Sequence, residues 1–460
     1  MRTFLSFAVL AASYATATAV PEDTPEQIEA GLIGLSKNST CQHDPANSKE
    51  VIVMLDKDEI PDAKSLLEKI GRKADDDGVF NLMDNSQWSA IVMHASPECI
   101  SYLDDLAEVK MVDEAAQVKS FVTQKTGAPW GLQRISNEAG ASGNPQGQTF
   151  TYSFEDTSLG AGVDVYVVDT GVRVSHAVFG GRAVEGFSFT QTAADGDGHG
   201  THVAGSAAGA KFGVAQNANI IAVKVLGDDG SGSSSNTIAG MNWVLNNHEK
   251  RKGQPGFVGS IMSMSWGLQG KAAAVDGAIT SAVDAGIHVS VAAGNDGADA
   301  CGTTPAHLGG ANSDVVTVGS VNIQNEVSSF SNIGKCVDIF APGEQILSAW
   351  NTGDNVINFL SGTSMATPQN SGVMAYLMAQ DPAKFGQNPK ALKAQLLSMA
   401  RQDIITGNLG GSANLLLSNG VDGKVKKRSV IGSPVSWARS IVADVDKRWV
   451  VNSTWSPVRF

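Results

Sequence analysis

Three short segments of this 460-residue chain carry side chains that do chemistry only in combination. Val167-Val168-Asp169-Thr170-Gly171 ends an apolar run in a carboxylate. Asp195-Gly196-Asp197-Gly198-His199-Gly200-Thr201-His202 sets an imidazole among glycines, which let backbone and substrate approach closely. Ser361-Gly362-Thr363-Ser364-Met365-Ala366-Thr367-Pro368 puts a hydroxyl at a loop-to-helix junction, where a helix N-terminus favours developing negative charge. A hydroxyl becomes a nucleophile when a base takes its proton, and the base needs an acid to fix its tautomer. Asp169, His199 and Ser364 supply one group of each kind. Singly, each has a plainer reading: a strand-end cap, a Gly/Ser loop, or, for His199 and His202, a metal pair on one helix face. No HExxH pattern and no third ligand accompany that pair, so the three segments together point to nucleophilic catalysis.

Such groups must be held by a frame. Short Val/Ile/Ala strands at 163–168, 219–225, 287–292 and 315–318 alternate with helical stretches, the signature of a parallel α/β sheet. Ligand sites form at the carboxyl ends of such strands, where Asp169 falls. Residues 49–120 read as a smaller α+β unit, with strands at 51–55, 88–93 and 109–112 and helices within 60–73 and 101–106. Lys119 to Gly127 reads as an exposed linker.

Bulk properties narrow the classes. With 42% hydrophobic residues and 50 Gly in no triplet repeat, the chain is neither disordered nor collagen-like. A net charge of −13 argues against a nucleic-acid-binding body. The charge is uneven: residues 20–120 hold 9 basic and 21 acidic side chains (−12), whereas 421–460 hold 8 and 3 (+5). No run of 18 apolar residues is present, so no membrane span is expected. Met1-Arg2, the apolar run from Phe4 to Ala12 and the exit Ala17-Thr18-Ala19 read as a signal peptide over 1–19, which implies secretion, with vacuolar delivery as the alternative. Glycosylation sequons at Asn38 and Asn452 fit that route.

Taken together, the three motifs resemble those of the subtilisin-like serine proteases, over a stretch from Trp130-Gly131-Leu132 to Asn419-Gly420. Phe330-Ser331-Asn332 and Lys335-Cys336-Val337-Asp338-Ile339-Phe340-Ala341-Pro342-Gly343 resemble the fungal proteinase K and cerevisin-like branch. The resemblance implies a three-layer αβα domain with a mostly parallel sheet over 126–420. Before it would come a propeptide over 20–125, with an α+β inhibitor domain at about 49–120 that folds and blocks its own protease. An extension over 421–460 would follow, removed at the dibasic-like Lys426-Lys427-Arg428, kept as a sorting or docking segment, or simply solvated and loosely packed. The implied activity is that of a monomeric serine endopeptidase, self-processed from a zymogen, acting on polypeptides and needing no cofactor for its chemistry.

Residue by residue, Asp169 would orient the imidazole, His199 act as base and then acid, and Ser364 attack the peptide carbonyl, with His202 a structural neighbour. Asn295 and Thr363 would stabilise the oxyanion. Ser265, Trp266 and Gly267, with a segment near Gly227 to Gly232, would pair with substrate. Ala292, Ala293 and Gly294 would wall an apolar pocket. Asp338 matches a position that binds structural Ca²⁺ in some relatives, and pairing within each separable part gives a Cys301–Cys336 disulfide.

The sequence departs from the family in four places. Pro368-Gln369-Asn370-Ser371-Gly372 replaces the usual Pro-His-Val-Ala-Gly and adds buried polar groups that need partners, which keeps a catalytically impaired binding protein as the alternative reading. Trp266 and Leu268 are bulkier than usual and are expected to reshape the outer pockets. Asp197 stands where Asn is common, placing a carboxylate near His199 and predicting a raised imidazole pKa with a more alkaline onset of activity. Val203 stands where many fungal relatives carry a free Cys. The order Asp, His, Ser and the missing Gly-x-Ser-x-Gly elbow exclude the serine esterases.

Overall fold

A computed structural model describes residues 41–115, 122–422 and 448–452; the leader, Asn38, residues 116–121 and the dibasic site lie outside them. The chain divides into two units, up to Lys119 and from Ser120 on.

The first unit is a βαββαβ fold: β1 (Lys49–Leu55), α1 (Ala63–Lys69), β2 (Val79–Asp84), β3 (Ser89–Ala95), α2 (Pro97–Asp104) and β4 (Val109–Glu114). Its sheet is antiparallel in the order β2-β3-β1-β4. Alternate residues Val51, Val53 and Leu55 of β1 and Ile91 and Met93 of β3 pack on Leu66 and Leu67 of α1. Asp62 caps α1 and Ser96 caps α2, each accepting a backbone N–H three residues on. A Cys41–Cys99 disulfide ties the N-terminal end of this unit to α2. Strand β2 is absent from the sequence reading, because its half-buried and exposed residues Val-Phe-Asn-Leu-Met-Asp do not alternate apolar with polar. Helix α2 starts four residues earlier than its spacing suggested, set by the Ser96 cap and Pro97 at its first position.

The second unit begins with β5 (Thr123–Ala128) and β6 (Phe150–Phe154), which pair antiparallel. The expected linker is therefore a paired strand over 123–127. A nine-stranded sheet follows, built from β7 (Val163–Asp169), β8 (Ala183–Ser188), β9 (Asn219–Lys224), β10 (Gly259–Met264), β11 (His288–Ala292), β12 (Val316–Val321) and β13 (Ile339–Pro342), with β14 (Ile346–Ala349) and β15 (Val356–Leu360) forming a separate hairpin. The short strands β16 (Arg401–Gln402) and β17 (Leu415–Leu416) complete the sheet in the order β16-β17-β13-β12-β11-β10-β7-β9-β8. All pairings are parallel except β16 with β17.

Both faces of the central strands are apolar, as a sheet covered on two sides demands. Val165 and Val167 of β7 face a core shared with α3 (His199–Ala208) and α6 (Thr363–Gln380). Tyr166 and Val168 face the opposite core, shared with α4 (Ser234–Arg251) and α5 (Ala273–Asp284). This is the three-layer αβα arrangement. A further helix, α7 (Pro389–Met399), packs its Leu392 and Leu396 on the α3/α6 side. Cys301 and Cys336 form the expected disulfide. The extension returns as β18 (Val450–Val451), which pairs in parallel with β15. Among the described residues no helix is long and apolar enough to cross a membrane.

Candidate active site

The parallel sheet brings the site together by register. Val167 of β7 lies opposite Ser263 of β10, so the chain ends that follow, Asp169 and Ser265, emerge side by side at the carboxyl edge. Met264 of β10 pairs with Val291 of β11, which brings Asn295 to the same edge. Helices α3 and α6 start there with His199 and Thr363-Ser364.

Asp169 is fully buried, and its Oδ1 lies 2.8 Å from His199 Nδ1 and accepts the Thr170 backbone N–H at 2.8 Å. That contact leaves a proton on Nδ1 and directs the Nε2 lone pair outward. The His199 side chain is 13% exposed. Burial lowers its pKa, but the charge and hydrogen bond of Asp169, together with the charges of Asp197 and Asp195, outweigh that and raise it above the ordinary value. Asp197 Oδ2 accepts the His199 backbone N–H at 3.0 Å, so this carboxylate sits beside the imidazole as its position suggested. Burial pushes the Asp197 carboxyl itself upward.

The helix start that carries His199 is held by Asp195, whose positioning role the sequence did not reveal. Its Oδ1 accepts from Thr170 Oγ1, Asp197 N and Gly198 N, and its Oδ2 from Thr201 N and Oγ1. Gly200 is required by contact: a Cβ there would lie 2.1 Å from the Gly171 carbonyl oxygen. His202 faces away into the core. Its Nε2 bonds the Ile346 and Asn358 carbonyls, and burial, then repulsion from His199, pushes its pKa down to about 3. It is a neutral structural histidine.

Ser364 is buried near the N-terminus of α6, and its hydroxyl donates to the Ser265 carbonyl at 3.0 Å. The backbone N–H groups of the first helical turn have no partner within the helix, so that of Ser364 is free to face a ligand. Asn295 presents its amide to this turn: Oδ1 accepts Thr363 N at 2.8 Å and Thr363 Oγ1 at 2.9 Å, which leaves Nδ2 as the outward end. Thr363 Oγ1 also accepts Gly294 N at 3.2 Å and is fully buried. Its hydroxyl hydrogen is thus committed to Asn295, so Thr363 positions the amide in this structure and does not itself face the site. Asn332 ends the Phe330-Ser331-Asn332 segment. It holds the Asn295 loop by accepting Asp296 N and Ala298 N and donating to Ala293 O.

The residues expected to contact substrate fall along the same edge. Gly267 is exposed after β10, and Trp266 is half-buried, with its indole N–H donating to Val168 O at 2.9 Å. Its ring packs on the α4/α5 core, which makes it part of the floor behind Asp169. Ala292 and Ala293 are buried and Gly294 half-buried beside Asn295. Gly227 to Ser231 closes as a turn, with Gly227 N donating to Ser231 O.

Behind Ser364 the unusual polar residues find partners for their donor groups, while Gln369 Oε1 and Asn370 Oδ1 are buried without one. Gln369 Nε2 donates to Pro342 O, Asn370 Nδ2 to Ser290 Oγ, and Ser371 Oγ to Ser263 Oγ, all at 2.8–2.9 Å. Asp338, the expected calcium ligand, instead has its Oδ1 2.9 Å from the Lys393 ammonium, and among the described residues no group of three or more His, Cys, Asp or Glu could hold a metal ion. Asn452 is half-buried and pairs its backbone N–H with Ile357 O; Asn38 lies outside the described residues.

A parallel αβα sheet with Asp, His, Ser and Asn gathered at its carboxyl edge defines the class, and the comparisons agree. Residues 160–427 match the subtilase family, and the chain belongs to it. It is 44% identical over 331 residues to the subtilisin-like serine protease Pen ch 18 of Penicillium rubens, a match covering 70% of this chain and 64% of that protein. It is 40% identical over 335 residues to alkaline protease 2 of Aspergillus fumigatus, with the same coverage of 70% and 64%. The chain thus spans just under two thirds of the length of these relatives. A crystal structure of a cold adapted subtilisin-like serine proteinase is similar over 65% of this chain and 100% of its own, with 39% identity and a TM-score of 0.56.

Proposed function

We propose that this chain is a serine endopeptidase that hydrolyses peptide bonds through Asp169, His199 and Ser364. The observation that carries the reading is the 2.8 Å contact between Asp169 and His199 Nδ1, which makes Nε2 a base at the sheet edge where Ser364 opens a helix. Turning the Ser364 hydroxyl from Ser265 O to Nε2 lets His199 take its proton as Oγ bonds to the scissile carbonyl carbon. The resulting oxyanion meets the Ser364 backbone N–H and Asn295 Nδ2. The imidazolium, steadied by Asp169, then protonates the leaving amine as the C–N bond breaks. Water, deprotonated by His199, hydrolyses the acyl-enzyme and restores Ser364. Substrate pairs as a strand beside residues 265–267, with its apolar side chain between Ala292–Gly294 and neighbouring small residues.

The chain is read as a secreted zymogen: the leader routes it out, the βαββαβ unit inhibits, and self-cleavage beyond it releases the protease. Expression as wild type and as Ser364→Ala, followed by intact mass and labelling with a serine-directed phosphonate, tests both parts. The expected result is loss of the N-terminal unit and labelling at Ser364 in the wild type, with neither in the variant. A wild type that stays full length and unlabelled overturns the reading.

A further inference from the structure

Lys393, in the middle of α7, carries an ammonium into the interior and is only 7% exposed. Four oxygens converge on its Nζ: the carbonyls of Gly310, Ser313 and Val315, each at 2.8 Å, and Asp338 Oδ1 at 2.9 Å. An ammonium has three hydrogens, so one of the four contacts is in excess of what it can donate. Three carbonyls from six successive residues aimed at one point repel one another unless a cation sits there. Carbonyl and carboxylate oxygens in this arrangement are the ligand set of a hard cation such as Ca²⁺.

The backbone is shaped to the same end. Asp338 is fixed by Gly310 N on Oδ1 and Thr317 N on Oδ2, at 3.1 and 2.9 Å. A Cβ on Gly309 would come within 2.6 Å of Asp338 Oδ2, so only glycine lets the carbonyl loop close against the carboxylate. The Cys301–Cys336 disulfide anchors the chain two residues before Asp338.

We propose that the Lys393 ammonium is the resident cation of this oxygen cage, standing where a metal ion would otherwise neutralise Asp338 and gather the three carbonyls. The cage joins α7 to the loop before β12 and to the residue before β13. The wild-type protein therefore takes no calcium here, and the cage accepts a calcium ion once the ammonium is removed. Ca–O distances run a few tenths of an ångström shorter than these N–O contacts, a contraction that a loop of this kind can make.

The test uses the full chain in the Ser364→Ala background, which prevents autolysis. Thermal unfolding and calcium-soaked crystals are compared for Lys393 and for Lys393→Ala, in EDTA and in millimolar calcium. Lys393→Ala is expected to unfold about 10 °C lower in EDTA, because a buried carboxylate has lost its counter-charge. Calcium should return about half of that loss in the variant alone, with anomalous density among Gly310 O, Ser313 O and Val315 O. Two results overturn the proposal. One is calcium density at these carbonyls in the Lys393 protein. The other is a Lys393→Ala protein whose stability does not respond to calcium. Should Lys393→Ala fail to fold in EDTA, its refolding in millimolar calcium becomes the readout, and the soak of the Lys393 protein stands by itself.

Discussion

Ser265 and Ser364 exchange hydrogen bonds: Ser364 Oγ donates to the Ser265 carbonyl and Ser265 Oγ to the Ser364 carbonyl, both at 3.0 Å. The second bond has a cause in the sequence. Pro368 lies four residues beyond Ser364 inside α6 and has no N–H, so the Ser364 carbonyl lacks its helical donor. The Ser265 hydroxyl supplies one from β10's end. The first bond holds the Ser364 hydroxyl in place, on an acceptor that any residue at 265 would keep.

Ser265→Ala therefore leaves the resting acceptor of Ser364 intact and orphans a buried carbonyl. The expected cost is about 2 kcal/mol of stability. Urea unfolding of the inactive Ser364→Ala protein with and without the change measures it; an unchanged midpoint would show that the Ser364 carbonyl finds another donor.

Asn295→Ala removes the outward amide and should lower kcat by about 100- to 1000-fold with little change in KM, a magnitude known for such a donor in a subtilisin. Thr363→Val keeps the shape but deletes the hydroxyl that holds Asn295 Oδ1 and accepts Gly294 N. About a tenfold fall in kcat is expected, one hydrogen bond to a positioned group being at stake, and Thr363→Ser should restore it. Steady-state kinetics on one chromogenic peptide decides both. If Thr363→Ser is as poor as Thr363→Val, the hydroxyl is not the positioning group.

His199 must be neutral to act as base, so its raised pKa moves the acid limb of kcat/KM upward in pH. Asp197 contributes to that rise through its charge. Asp197→Asn keeps an oxygen for the His199 backbone N–H but removes the charge, which lowers the imidazole pKa and shifts the acid limb to lower pH. The same group adds a stability term. Its folded pKa lies above the unfolded one, so the stabilisation is fully present below the unfolded pKa and is lost as pH rises through the folded pKa. A kcat/KM profile for Asp197→Asn that overlies that of the unmodified protein would remove Asp197 from this account.

Much of this site was legible because its chemistry is local in sequence. Asp169 ends an apolar run, His199 sits among glycines, and Ser364 and Asn295 follow or open regular elements, so each could be placed before its partners were known. The residues that escaped notice act across distance. Asp195 and Asn332 work by collecting donors from loops brought together only by the fold. Thr363, expected as a donor to the oxyanion, donates instead to Asn295 Oδ1, a group at another strand's end. Lys393 carries no signal in the sequence, and Asp338 matches a metal-ligand position, because their pairing depends on where α7 docks. Strand β2 and the paired stretch 123–127 carry too little apolar alternation to announce themselves.

The C-terminal extension was the least legible part, and its described residues are docked. Val450 and Val451 pair with Val356 and Ile357 of β15, Asn355 Nδ2 donates to Arg448 O, and Asn452 N donates to Ile357 O. Trp449 lies parallel to His176 with ring centroids 5.7 Å apart and meets Phe212 edge-on at 5.3 Å. Burial holds the His176 pKa below its ordinary value, so the stack is between two neutral rings, and His176 Nε2 bonds the Val356 carbonyl of the same strand. Strand β15 leads through Ser361 and Gly362 directly into Ser364, so whatever steadies β15 steadies the approach to the nucleophile. Trp449→Ala strips the aromatic anchor from a half-buried site and should cost about 2 kcal/mol, seen as a lower Tm of the Ser364→Ala protein. Ending the chain after Asp422 should cost at least as much, because it removes the strand pairing as well. If both proteins melt with the full-length chain, the extension rests on β15 without supporting it.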